Sequence, residues 1–235
     1  MAVSKNPVSF NLYKENPYPS ALLFRGIVLA LSLANCYFMH IHEDQWEMFC
    51  TNWGQVLVTV YYLFAFLQAL LKPADDSLLT KTVDIIFHLT LALQFLIFVF
   101  YWPLLSYDDI FNRIMKFSDP WRRQYEFGAQ AIWRHLVNPL LVWIPVLVSH
   151  TRLGFKNFGF FVLLMVGYLY VNYSKTQYMG KGVYPMMDWK SMESHIHVGL
   201  GIGLALAGFW ISSGVSKAIR SKLNLEAKPN KSKNN

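Results

Sequence analysis

Six apolar runs dominate this sequence, and each is close to the roughly 20 residues that a helix needs to cross a bilayer. In order along the chain they cover residues 21–41, 52–72, 82–105, 131–150, 155–173 and 194–216. Because the bilayer interior offers no water to backbone amides, such runs are stable there as helices. The sequence therefore predicts an all-α polytopic membrane protein with a bundle of six transmembrane helices over residues 21–216. An N-terminal segment, 1–20, precedes the bundle, and a basic polar tail, 217–235, follows it.

The charge of the chain fits a membrane topology. The formal net charge is +7, and lysine and arginine are concentrated in the tail and in the loops on the same side as the tail. By the positive-inside rule both termini face the cytosol, or the matrix if the membrane is mitochondrial. This placement argues against nucleic acid as a partner. We expect an internal membrane, either that of the endoplasmic reticulum or the mitochondrial inner membrane.

The fourth run, 131–150, contains side chains that are costly inside a membrane. An ionisable group there costs on the order of 3 kcal/mol and usually marks a functional site. His135 and Asn138 follow the spacing of one helical face. Pro139 has no N–H, so the carbonyl of residue 135 loses its usual helical donor beside the imidazole. We expect His135 to be either a catalytic or ligand-binding residue, or a structural one bonded to a neighbouring helix.

The second run carries a polar stripe at steps of three, four and three, formed by Asn52, Gln55, Thr59 and Tyr62. Because successive spans alternate in direction, the second and fourth helices run in the same direction, and with both termini inside they begin at the outer face. At 1.5 Å per residue, Thr59 then lies ~10 Å, and His135 ~6 Å, below the outer ends of their runs. A hydroxyl beside a neutral imidazole is the minimum arrangement for nucleophilic acyl transfer. Asn138 or Tyr101 would hold the oxyanion.

The order of short motifs resembles the androgen-induced gene/FAR-17a family. The motifs are Thr51-Asn52-Trp53 with Thr59, Tyr101-Trp102, His135-x-x-Asn138 with His150, Gly182-Val-Tyr184-Pro185, and Asp188-Trp189. The Thr-Asn-Trp and Asp-Trp pieces equally resemble the related Rolling stone group.

The resemblance implies a six-helix protein with cytosolic termini that hydrolyses fatty acid esters of hydroxy fatty acids. It implies a threonine nucleophile on the second helix and a histidine on the fourth, here Thr59 and His135. In the family this threonine lies nearer to the preceding tryptophan than Thr59 does. Thr59 is therefore the best available match, and Thr51 is a poor second. Asn52, Gln55, Tyr62, Tyr101, Asn138, Tyr184 and Asp188 are then the candidate binding residues. No cofactor or metal is expected.

Two other classes of function remain open at this stage. One is a non-catalytic protein that packs lipid, or an accessory subunit of a large membrane complex, such as one in the mitochondrial inner membrane. Its partners would be membrane lipids and other subunits, contacted through the basic tail and the glycine-rich sixth helix, where small residues allow close helix contact. The other is a metal or haem protein that uses outer-side histidines, namely His40, His42, His135, His195 and His197.

Overall fold

The computed structural model describes residues 17–42, 49–74, 76–104, 130, 132–148, 157–180 and 188–222. The regular structure of these residues is helical. Its elements are α1 (Pro17–His42), α2 (Cys50–Leu71), α3 (Leu78–Leu104), a π-helical turn (Trp133–Val137), α4 (Asn138–Val148), α5 (Phe158–Met179) and α6 (Met192–Lys222). The last helix includes the first residues of the predicted tail, 217–235.

Four of the described helices are long and apolar enough to cross a membrane. These segments of α1, α2, α3 and α6 are Ser20–Ile41, Cys50–Leu71, Leu78–Val99 and Met192–Val215. The prediction of a helical membrane protein is confirmed at this level. In the part of the chain that the structure describes, α4 has 11 residues and α5 carries polar side chains along its second half. Their crossing of the membrane, and the side that each terminus faces, stay predictions.

Helix α3 lies at the centre of the packing. It contacts α2, α4, α5, α6 and the π-helical turn, whereas α1 packs mainly on α2. Two buried apolar clusters meet along α3. Phe87 and Leu91 belong to the first, which joins α1, α2 and α4, while Leu93 and Ile97 belong to the second, which joins α5 and α6. An apolar helix with cluster residues on two sides must be surrounded by other helices, as α3 is.

The turn between α2 and α3 shows how local sequence makes these helices neighbours. α2 ends at Lys72, whose backbone is left-handed at φ 47° and whose N–H donates to the Gln68 carbonyl at 3.0 Å. Ser77 begins α3, and its hydroxyl accepts the N–H of Thr80 at 3.2 Å, the usual bond of an N-cap serine. This short connection holds the two helices antiparallel, because a tight turn between helices leaves no other arrangement.

The glycines of α6 divide into two groups. A β-carbon on Gly208 would touch the ring of Phe95 at 3.4 Å, so α6 approaches α3 closely there. A β-carbon on Gly199, Gly201 or Gly203 would meet no described atom within 4 Å. The same holds for Gly214, so among the described glycines of α6 close packing inside the chain is seen at Gly208, and contact of the others with another chain stays a prediction.

Candidate functional site

Two hydrogen bonds between polar side chains set how α2 lies against the π-helical turn and α4. Arg134 Nη1 donates to Asn52 Oδ1 at 3.0 Å, and Asn138 Nδ2 donates to Gln55 Oε1 at 2.7 Å. Asn52 is paired with Arg134, and three positions later Gln55 is paired with Asn138. The two helices therefore run in the same direction, as the order of the spans predicts. Both bonds are buried. We call Asn52, Gln55, Arg134, His135 and Asn138 the polar layer.

The polar layer lies almost entirely inside the protein. Asn52, Gln55 and Asn138 have no exposed surface, whereas Arg134 and His135 keep 8% and 7%. Buried amides in a membrane are stabilised by pairing with each other across helices, as these do. The two ionisable residues therefore form the edge of the layer that is most accessible from outside.

The π-helical turn carries both ionisable residues of the layer. The N–H of Asn138 donates to the carbonyl of Trp133, five residues earlier, in place of the usual four. Pro139 follows directly and has no N–H to donate to the carbonyl of residue 135. A single widened turn inside a helix is rare and often lies at a functional site. The π-helical turn thus lies just before Pro139.

The hydroxyl of Thr59 is bonded within α2 and to α1. It donates to the Gln55 carbonyl at 3.0 Å, accepts from Gln55 Nε2 at 3.4 Å and lies 3.1 Å from the sulfur of Cys36. The Ser32 carbonyl lies 3.4 Å away. His135 is not one of its hydrogen-bond partners among the described residues.

The pairing of α2 with the π-helical turn explains why Thr59 and His135 are not bonded to each other. Asn52 is bonded to Arg134, so His135 lies close to the level of Asn52. Thr59 lies seven positions further along α2, which separates it from His135 by roughly 9 Å along the helix axis. Thr51 is half-buried and lies four positions before Gln55, on the same face of α2. It is the threonine of α2 that lies level with the π-helical turn.

Tyr62 extends the contact between α2 and α4 beyond the polar layer, towards the C-terminal end of α2. Its hydroxyl donates to the carbonyl of Leu141 at 2.8 Å, and its ring packs edge-on against Phe24 and Tyr61. The side chain has no exposed surface. Tyr62 therefore joins α1, α2 and α4 below the polar layer.

The remaining predicted binding residues lie elsewhere. Tyr101 is in the last turn of α3, with its side chain outside the described residues, and Tyr184 lies wholly outside them. Asp188 is described, and its Oδ1 accepts the N–H of Lys190 at 2.9 Å and the N–H and hydroxyl of Ser191 at 3.0 Å. These donors, the Ser191 N–H first, lower the pKa of Asp188 to about 2. Its contacts are those of a residue that orders the start of α6.

Trp189 connects the same region to α5. Its backbone is left-handed at φ 60°, its N–H donates to the Ser194 hydroxyl, and its indole N–H donates to Asn172 Oδ1 at 2.9 Å. Trp189 therefore links the start of α6 to α5.

The described residues contain no group of three histidine, cysteine or acidic side chains that could hold a metal ion. Nδ1 of His195 lies 2.7 Å from the Ser191 carbonyl, and Nδ1 of His197 lies 2.8 Å from the Glu193 carbonyl. Both rings are thus bonded to their own helix.

Three residues near the polar layer were not predicted from the sequence, namely Ser32, Cys36 and Gly54. Ser32 and Cys36 meet Thr59 only because α1 crosses α2 there, and no spacing predicts that contact. Gly54 has a weak signal, since glycine in a membrane helix often marks a close approach. A β-carbon on Gly54 would overlap Ile97 Cδ1 and lie 2.8 Å from Gln94 Nε2.

A second buried polar cluster links the first half of α3 to the start of α5. Asp84 and His88, four residues apart, have their carboxylate and ring nitrogen 3.6 Å apart. Asn157 Nδ2 donates to Asp84 Oδ2 at 3.3 Å and lies 3.0 Å from His88 Nδ1. The spacing of Asp84 and His88 predicts their pairing, but the third member comes from another helix.

One curated relative is similar to this chain. It is Protein rolling stone of Drosophila melanogaster, with 22% identity over 207 residues, which covers 81% of this chain and 71% of the relative. No protein-family model matches the chain. No solved structure matches it either.

Proposed function

We propose that this protein is a membrane-embedded hydrolase of long-chain lipid esters, with His135 as general base and a threonine of α2 as nucleophile. The observation that carries the proposal is the burial of His135 in a π-helical turn, among amides that α2 supplies. An ionisable side chain kept in such a place is costly, and function is the usual reason for it. The resemblance to the androgen-induced gene/FAR-17a family supplies the reaction class.

The chemistry needs a hydroxyl, a base and donors for the oxyanion. The threonine oxygen bonds to the acyl carbon while His135 takes the hydroxyl proton and passes it to the leaving alkoxide. Amide and guanidinium N–H groups of the polar layer, from Asn138 and Arg134, are donors of the kind that stabilise the oxyanion. Water then releases the acyl group. The substrate enters from the lipid, at the edge where His135 keeps its exposed surface.

Two threonines compete for the role of nucleophile. Thr59 is the best match to the family motif, but its hydroxyl is bonded to the Gln55 carbonyl and to α1. Thr51 is the weaker match, but it lies level with His135. The proposal names Thr59 from the resemblance and tests Thr51 beside it.

The experiment uses the full chain, purified in lipid nanodiscs and assayed on a panel of long-chain esters. We expect His135→Gln to abolish hydrolysis, and one of Thr59→Val and Thr51→Val to abolish it while the other keeps most of it. Retained thermal stability shows that each variant is folded. Wild-type protein without activity on the panel, or full activity in His135→Gln, would contradict the proposal.

A second candidate is a non-catalytic membrane protein that packs lipid or joins a larger complex. The specific observation in its favour is that the Thr59 hydroxyl bonds to the carbonyl four residues earlier, the usual structural role of threonine in a membrane helix. Native gels of mild detergent extracts separate the two candidates. Co-migration with a large complex supports the second, and migration as a free small protein supports the hydrolase. An internal membrane as the location belongs to both proposals.

A further inference from the structure

Gln94 is a polar side chain of α3 with no exposed surface. Neither Nε2 nor Oε1 has a hydrogen-bond partner among the described residues. A buried amide left in this condition is destabilising, because each unmet group has lost its bonds to water. A side chain of this kind inside a membrane bundle indicates a bound polar molecule that supplies the missing hydrogen bonds.

The position of Gln94 relates it to the polar layer. Its amide lies against Gly54, where a β-carbon would be 2.8 Å from Nε2. Gly54 lies between Asn52 and Gln55, the residues that bond to Arg134 and Asn138. α3 also packs directly against α4 and the π-helical turn. Gln94 is therefore at the level of His135, to within about one helical turn of ~5 Å.

Asn138 supplies a second unmet atom at this level. Its Nδ2 donates to Gln55, but its Oδ1 has no hydrogen-bond partner among the described residues. The atoms without a partner are thus one nitrogen with two N–H donors, Gln94 Nε2, and two acceptor oxygens, Gln94 Oε1 and Asn138 Oδ1. An ester carbonyl is only an acceptor and leaves both oxygens unmet. A water molecule both accepts and donates, so it can accept from Gln94 Nε2 and donate to an oxygen of this group.

We infer that Gln94 and Asn138 hold a buried water molecule at the junction of α2, α3 and α4, and that this water is the one that hydrolyses the acylated enzyme. The second half of this inference rests on the proposed function. The water accepts one bond from Gln94 Nε2 and donates one to Asn138 Oδ1, which leaves it a lone pair for the acyl carbon and a proton for His135. A hydrolase within a bilayer needs such a site, because bulk water is excluded from the apolar interior.

The water acts in the second half of the reaction. Its oxygen bonds to the acyl carbon, and one of its protons passes to His135. The bond between the acyl carbon and the threonine oxygen breaks, and His135 returns the proton to that oxygen. A carboxylic acid leaves, and the threonine hydroxyl is restored. No oxidant or further reactant is needed.

The test measures acylation and deacylation separately, by stopped reactions and intact mass, in full-length protein in nanodiscs. We expect Gln94→Leu to slow deacylation by about tenfold or more, the effect of one lost bond of about 1.4 kcal/mol, with acylation unchanged. Acylated protein then accumulates. Hydroxylamine, which attacks the acyl group itself, restores turnover. The matched control is Gln68→Leu, which removes a buried amide from the inner half of α2 and leaves the ratio of the two rates unchanged.

An equal loss of acylation and deacylation in Gln94→Leu, or no rescue by hydroxylamine, overturns the catalytic part. The water site has its own readout, independent of activity. With nitrogen-15 in glutamine side chains, the Gln94 amide protons show a cross-peak to water in a nuclear Overhauser experiment, and Gln94→Leu removes it. A dry Gln94 amide overturns the site. Wild-type protein that shows the cross-peak but forms no acylated state overturns the proposed function and leaves the water site standing.

Discussion

Asn138 Nδ2 donates to Gln55 Oε1 at 2.7 Å, and this bond joins two helices that are far apart in the sequence. Both side chains are completely buried, and Gln55 passes the contact on to the Thr59 hydroxyl at 3.4 Å. The bond fixes α4 against α2 at one height, because a shift of either helix by one residue moves the amides out of reach. The position of the polar-layer residues of α4 relative to those of α2, measured along the helix axis, depends on this bond.

Gln55→Leu is expected to lower the free energy of unfolding by about 1–3 kcal/mol, because it leaves the buried Nδ2 of Asn138 without its acceptor. Thermal unfolding in a fixed detergent measures the change. Gln177→Leu, at an exposed position of α5, is the control and should change stability by less than about 0.5 kcal/mol. The double variant Gln55→Leu/Asn138→Leu should cost less than the sum of the single variants. Strict additivity would show that the two amides do not interact.

Gly54→Ala is expected to destabilise the protein by about 1–3 kcal/mol, because the added methyl group would overlap Ile97 and press on the Gln94 amide. Gly199→Ala is the matched control in α6, where a β-carbon meets no described atom within 4 Å. Alanine there should be neutral or stabilising by up to about 1 kcal/mol, since it favours the helix. Equal effects of the two substitutions would contradict the close approach of α2 and α3.

Asp188 is expected to titrate with a midpoint near pH 2, below its ordinary 3.8, because two backbone N–H groups and a hydroxyl donate to its charged form. Since the folded-state pKa is the lower one, its contribution to stability is complete above about pH 4 and is lost as the pH falls through 2. The amide resonances of Lys190 and Ser191, followed against pH, report the midpoint. Asp188→Asn should remove this titration. A midpoint near 3.8 would show that the carboxylate does not accept these bonds.

Asn157→Leu is expected to cost about 1–3 kcal/mol of stability, because it removes the amide that donates to the Asp84 carboxylate inside the protein. The loss should be local. Hydrogen exchange in the first turns of α5 should become faster, whereas exchange in α1 and the outer half of α2 should not change. Uniform acceleration across all helices would contradict the view that Asn157 mainly attaches α5 to α3.

The amino-acid sequence by itself determined that this is a helical membrane protein, because the length of an apolar run and the period of its polar residues are local properties. The polar stripe of α2 and the costly residues around His135 are visible in the same way, as is the helical bond that Pro139 cannot make. The partners of these groups were decided only by the tertiary structure. Thr59 and His135 are each at a plausible depth when the helices are considered singly. The bond between Asn52 and Arg134 places His135 near the level of Asn52, and α1 brings Ser32 and Cys36 to the Thr59 hydroxyl. Depth along a helix follows from counting residues, but the height of one helix against another depends on the side-chain pairs that form between them.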